Sequence, residues 1–225
     1  MNGREDRGNP GSVRAIDVSA PLADGLPPWP GDEAFRRIVT SSHDAGDGLE
    51  VSHVVTSLHA GTHVDAPVHV DPAGTPVDRL DPLLFLGPCR VVRPAPGPGG
   101  LVRPGDLAGA LDTPRLLLAT GTCPDPDRRF SRDFATLAPE TVAALAAAGV
   151  RLVGIDTPSV DPFDSTDLPA HRALARHGIV AIEGLRLAGV PAGRWDLVAL
   201  PLRVAGADAA PARVLLLPPG TLRLP

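Results

Sequence analysis

The chain has 225 residues, 43% of them hydrophobic and 21% charged, a balance that supports one domain with a sizeable core and excludes a disordered chain. Acidic residues outnumber basic ones by 26 to 21, giving a formal charge of −5, and no basic block can follow a phosphate backbone, so nucleic acid is excluded as a partner. The two cysteines, Cys89 and Cys123, form no CxxC pattern, which removes thiolate zinc sites and disulfide scaffolds and fits a reducing cytosol.

Residues 1–11 are polar and contain Gly and Pro, so a flexible N-terminal tail is expected ahead of a single domain over 12–225. The longest apolar stretch, 142–150, is about half of a membrane span, and a soluble cytoplasmic protein with no membrane partner is expected. A first strand over 13–18 leads into a proline-rich loop containing LPPWPGD. There Trp29 stands between Pro28 and Pro30 with its backbone preset toward extended geometry, either as a lid anchor or as a binding surface. Strands are predicted over 35–40 and 51–58, and the segment 59–69, interrupted by Gly61 and Pro67, reads as a loop leaving a strand. Short apolar runs at 89–93, 115–119, 151–155, 179–182, 197–202 and 214–217 read as buried strands. A helix is predicted over 139–148, with Pro139 at its start, Glu140 in its first turn and Gly149 as its stop. A second runs over 169–177 to Gly178, and a weaker one over 104–111. Trp195 reads as packing at a strand entrance. Strands alternating with helices in the second half, after a strand-rich first half, predict an α/β domain with a mixed sheet.

The segment His59-Ala-Gly-Thr-His63-Val-Asp65-Ala-Pro-Val-His69 crowds three imidazoles and a carboxylate together. In extended backbone all four side chains share one parity and point to one side, whereas a helix would align only the first pair. Nitrogen and oxygen ligands without sulfur suit zinc, manganese or iron(II) and argue against calcium. One carboxylate can bridge two ions, and the best candidates for a second ligand set are His171, at the start of a helix, and Glu183, directly after a buried strand. A carboxylate there is costly unless paired or metal-bound. A core-edge ion pair for Glu183 and a helix-face position for His171 are the alternatives.

HAGTHVDAPVH, together with WPGD at 29–32, GIDTPSVDP at 154–162, LPAH at 168–171 and EGLRL at 183–187, resembles the bacterial kynurenine formamidases of the cyclase-like metal-dependent hydrolases. The resemblance runs from about residue 16 to 216 and departs at no motif position. It implies a swivelling β/α/β-type fold, a homodimer and two zinc ions per subunit. His59, His63 and Asp65 would hold the first ion, and Asp65 would bridge to a second completed by His171 and Glu183. His69 corresponds to the family's proton donor and acceptor, and Trp29 to its substrate-binding tryptophan.

The implied reaction is hydrolysis of N-formyl-L-kynurenine to L-kynurenine and formate in tryptophan degradation. A zinc-activated hydroxide would attack the formyl carbon, and a histidine would carry the proton to the departing arylamine. The aspartates Asp156, Asp161 and Asp164 are read as shaping the pocket loop and are left outside the metal site. Two rivals stand beside this reading: a related enzyme opening a small cyclic amide such as isatin with one manganese, and a metal-binding scaffold without turnover.

Overall fold

A computed structural model describes residues 14–97 and 99–223, so the expected tail over 1–11 lies outside the described residues. The strands, in chain order, are β1 (Ile16–Asp17), β2 (Arg36–Ser41), β3 (Val51–Val55), β4 (His63–Asp65), β5 (Leu86–Val92), β6 (Leu101–Val102), β7 (Arg115–Leu118), β8 (Thr136–Leu137), β9 (Leu152–Ile155), β10 (Val180–Glu183), β11 (Gly193–Val198), β12 (Ala209–Pro211) and β13 (Leu215–Leu217). Two helices, α1 (Pro139–Ala147) and α2 (Pro169–His177), precede β9 and β10.

Nine strands form one mixed sheet in the order β1-β13-β11-β5-β7-β9-β10-β4-β12, the α/β architecture expected. Its centre, β5-β7-β9-β10, is parallel, and antiparallel strands complete both flanks. Two-stranded ribbons β2-β3 and β6-β8 stand apart from this sheet.

The central strands are mostly apolar because both of their faces are covered, with Arg115 and Glu183 at strand ends and Arg90 half-buried in β5. Leu116 and Leu118 of β7, Val153 and Ile155 of β9 and Ala181 of β10 pack beneath Val142 and Leu145 of α1 and Ala173 and Leu174 of α2. The intervening Leu117, Leu152, Val180 and Ile182 face a second core with Val91, Val64 and Leu197. Glu183 follows Ala181 by two positions and so shares the helix-bearing face. Helix α1 runs from Pro139 to the αR residue Ala148 and stops at Gly149, whose φ is +78°.

Four short strands, β4, β6, β8 and β12, were not expected; among the described residues the strands expected over 13–18 and 51–58 are shorter and β5 begins before 89, and three further elements differ. The segment 59–69 is not one extended run or a plain loop: it holds β4 and a 3-10 turn over Pro67–His69, so only His63 and Asp65 share a strand face. The helix expected over 104–111 is a 3-10 turn over Pro104–Leu107, since a second turn would run into Gly109, whose φ is +75°. Strand β11 begins four residues before the expected 197, where Gly193 pairs with Val91 of β5, and it ends at Val198, leaving Pro201 a lone bridge to Ala212. Trp195 therefore lies inside β11, packed on the core with its indole N–H donating to the Pro191 carbonyl at 3.1 Å.

The turn preceding β4 is locked to the end of β10. Thr62 Oγ donates to the Gly184 carbonyl at 2.7 Å and accepts from the Ala20 N–H at 2.8 Å. Gly61 and Gly184 both hold left-handed φ, +64° and +67°. A side chain at Gly184 would collide with the Gly61 carbonyl oxygen. Gly184→Ala is expected to destabilise the protein by about 1–3 kcal/mol from backbone strain alone, with the collision added, as read by urea denaturation. An unchanged midpoint would show that this contact yields without cost.

Candidate metal centre

The sheet register assembles the centre. β4 pairs antiparallel with β10, setting Glu183 opposite His63 and Ala181 opposite Asp65. Ladder partners project to one face, so His63, Asp65 and Glu183 all stand on the side that carries α2. His171, in the first turn of α2, reaches them from above.

Two triads result, His59 with His63 and Asp65, and Asp65 with His171 and Glu183, each offering ligand atoms within 4.8 Å of one another. His59 Nδ1 lies 3.0 Å and His63 Nε2 3.4 Å from Asp65 Oδ1, while His171 Nε2 lies 3.4 Å from Asp65 Oδ2. Glu183 stands 3.2 Å from His171 Nε2 and 3.5 Å from His63 Nε2. Asp65 thus turns one oxygen to each triad. His63, Asp65, His171 and Glu183 are buried, yet His63 Nε2 and both Asp65 oxygens have no hydrogen-bond partner. Buried donors and acceptors that approach without bonding to each other fit a cation held between them.

The opposite nitrogen of each ring is anchored. His63 Nδ1 meets the Gly61 carbonyl at 3.1 Å, His171 Nδ1 meets Asp161 Oδ2 at 2.8 Å, and His59 Nε2 meets Asp208 Oδ2 at 3.0 Å. Such outer partners set which nitrogen keeps its lone pair for the inside. Glu183 Oε1 accepts the Val160 N–H at 2.7 Å.

Asp161 was expected only to shape the loop, and it does more. It is fully buried and accepts the Ala170 and His171 N–H groups, capping α2, as well as the His171 ring. The available signal was the missing cap: α2 begins after Leu168, which has no capping side chain and a strained φ of +45°. Asp156 behaves as expected, bonding the Thr120 and Gly121 backbone, and Asp164 is exposed. Asp208, a single aspartate in an alanine-rich stretch, was not singled out and carries no motif signal.

The centre opens into a cavity of about 560 Å³ lined also by Trp29, Phe130, Phe163, Arg129 and His69. In the WPGD turn, Pro30 presets the bend, Gly31 takes φ +104°, and the Asp32 N–H closes on the Trp29 carbonyl at 2.9 Å. Asp32 then accepts from Ser57 Oγ, tying this loop to the chain entering His59. The half-buried Trp29 ring lies 5.1 Å from Phe163 and 5.4 Å from Phe130, forming an apolar wall. His69 is half-buried, outside both triads, with its ring 4.5 Å from His59 and 5.5 Å from His171.

Burial disfavours charge on His63, but Asp65 and Glu183 outweigh it and push its pKa up to about 10. His171 is raised well above its usual value by Asp161, Asp65 and Glu183 against the same burial penalty. Burial likewise raises Asp65, yet the surrounding histidines hold it well below the carboxylate range. Protons and a divalent cation therefore compete for the same nitrogens.

Three comparisons place this chain among known proteins. Residues 16–162 match the family described as "Putative cyclase". A kynurenine formamidase of Salinibacter ruber is 45% identical over 206 residues, spanning 89% of this chain and 96% of that protein. Among solved structures, one described as a potential metal-dependent hydrolase with cyclase activity aligns with a TM-score of 0.78 at 30% identity, covering 95% of this chain and 100% of its own. Isatin hydrolase A from Labrenzia aggregata shares the fold, with a TM-score of 0.77 at 23% identity over 92% of this chain and 94% of its own. The chain belongs to the cyclase family of metal-dependent hydrolases. The kinship with the kynurenine formamidases read from the motifs holds over most of the chain. No helix among the described residues is long and apolar enough to cross a membrane.

Uptake of a divalent ion is expected to release protons near neutral pH, so that affinity rises with pH. Calorimetric heats that differ between buffers of different ionisation enthalpy would register this, and equal heats would exclude it. In chelator-treated protein the sign reverses. His63 is protonated more readily folded than unfolded, so its contribution to stability is full below about pH 6.5 and fades as pH rises through about 10.

Proposed function

We propose that the chain hydrolyses N-formyl-L-kynurenine to L-kynurenine and formate, with two zinc ions per subunit of a homodimer. The observation that carries this reading is the pair of triads sharing Asp65 at the floor of a cavity walled by Trp29. The 45% identity to a kynurenine formamidase supports the substrate. The isatin hydrolase relative is too distant to carry a cyclic amide to this chain.

His59, His63 and Asp65 would hold one ion, and Asp65, His171 and Glu183 the other. Two zinc ions bound there supply a Lewis acid for the carbonyl oxygen and bring the pKa of a bound water from its bulk value toward about 7. Trp29, Phe130 and Phe163 offer the flat aryl ring a wall that is already packed, so little side-chain entropy is lost on binding. His69 borders the cavity without belonging to either triad, which suits it to take a proton from the nucleophile and return it to the departing aryl nitrogen. That nitrogen is a poor leaving group as an anion, so it needs a proton as it departs.

The deciding experiment is an assay of the metal-analysed protein with N-formylkynurenine, and absence of turnover in zinc-replete protein would sink the reading. In the same assay His69→Ala is expected to keep its metal and lose about 10²–10⁴-fold in kcat, with a smaller loss on an ester whose phenolate leaves unaided. Metal loss in that variant would make His69 a ligand. Trp29→Ala is expected to raise KM by roughly three- to tenfold, the worth of one aromatic contact, at unchanged metal content. A normal KM would return Trp29 to the role of loop anchor.

A further inference from the structure

A third group of potential ligands lies beside the two triads: His59, His69 and Asp208 also offer atoms within 4.8 Å of one another. Its geometry argues for a hydrogen bond from His59 to Asp208 and against a third ion. His59 faces Asp65 with Nδ1 and Asp208 with Nε2, at 3.0 Å each. A neutral imidazole has one donor nitrogen and one acceptor nitrogen, so a His59 whose Nδ1 serves the first triad must donate Nε2–H to Asp208. The same oxygen, Asp208 Oδ2, stands 3.5 Å from His69 Nδ1. One carboxylate oxygen thus faces both the ring of a proposed ligand and the ring of the proposed acid/base.

The backbone that carries Asp208 is pinned. Its carbonyl accepts the Ala66 N–H at 2.8 Å, and the preceding Ala207 carbonyl accepts the Val77 N–H at 2.9 Å. The next residue begins β12, where Ala209 pairs with Asp65. The half-exposed carboxylate is therefore held at a set distance from the centre by the same strand that carries Asp65.

We infer that Asp208 is a positioning residue acting through both histidines, orienting His59 with Nδ1 toward the first triad and His69 with Nδ1 toward the carboxylate, which leaves His69 Nε2 as the proton-accepting atom. Asp208 touches no reacting atom in this arrangement. It decides which nitrogen of each ring is available, and it offers the imidazolium formed on His69 an anionic partner. This inference rests on the function proposed above for its kinetic half, and only on the ligand role of His59 for its metal half.

Asp208→Asn, which keeps the shape and removes the charge, and Asp208→Ala test it by two independent readouts. In competition against a chromophoric chelator, both variants are expected to bind zinc about 10–100-fold more weakly than the parent protein. With zinc saturating, kcat on N-formylkynurenine is expected to fall about 10–100-fold with KM near that of the parent, and adding Asp208→Asn to His69→Ala is expected to cost nothing further. Unchanged zinc affinity, or an equal kcat loss with and without His69, would overturn the inference. If the parent protein itself fails to turn over N-formylkynurenine, the functional reading fails while the chelator competition still decides the role of Asp208.

Discussion

The antiparallel register between β4 and β10 is the constraint on which the centre depends. A slip of one residue would carry His63 and Asp65 to the other face and leave Val64 among the carboxylates. What prevents the slip is apolar. Val64 and Ile182 are ladder partners and both are fully buried in the core on the far side. Each is worth roughly 1.5–3 kcal/mol of burial, whereas a buried ion pair returns little beyond the cost of taking its charges out of water, so the hydrophobic residues aim the polar ones.

Burying two carboxylates beside each other is expensive, and the surroundings are graded to meet the cost. His171 is backed by a fully buried carboxylate that is itself satisfied by the first turn of a helix. A backbone carbonyl backs His63, and a half-exposed carboxylate backs His59. The three rings thus differ in how much electron density their outer partners lend, and the ring backed by the buried carboxylate, His171, is the one farthest from the amino-terminal motif in sequence. Gly61 and Gly184 allow these shells to approach closely, because each carries the backbone through a left-handed bend that a side chain would obstruct.

Much of this was legible in the residue string. The parallel centre announced itself as apolar runs of strand length, and the two α-helices as alanine-rich or amphipathic stretches closed by Gly149 and Gly178. The triad candidates were visible because imidazoles and a carboxylate rarely crowd so closely. Strands β4, β6, β8 and β12 were hidden because each spans only two or three residues, too few to show a period, and their existence depends on partners far along the chain. Asp208 was hidden for a related reason: an outer partner is defined by the ring it touches, and spacing in sequence carries no trace of that contact, while Asp161 left only the missing cap at Leu168 as a trace.

The separation in sequence that hides these partners also orders events during synthesis. Strand β4 emerges early, but Thr62 is bonded to Gly184, 122 positions later, and β12 closes over β4 later still. Until those segments arrive, the His-rich stretch is a short polar strand with no neighbour on either edge and can offer a metal only the loose grip of an unstructured chain. Asp65 is common to both triads, and the second also needs His171 and Glu183 from far along the chain. A tightly held ion in this protein is therefore a mark that β4 has found both of its sheet partners.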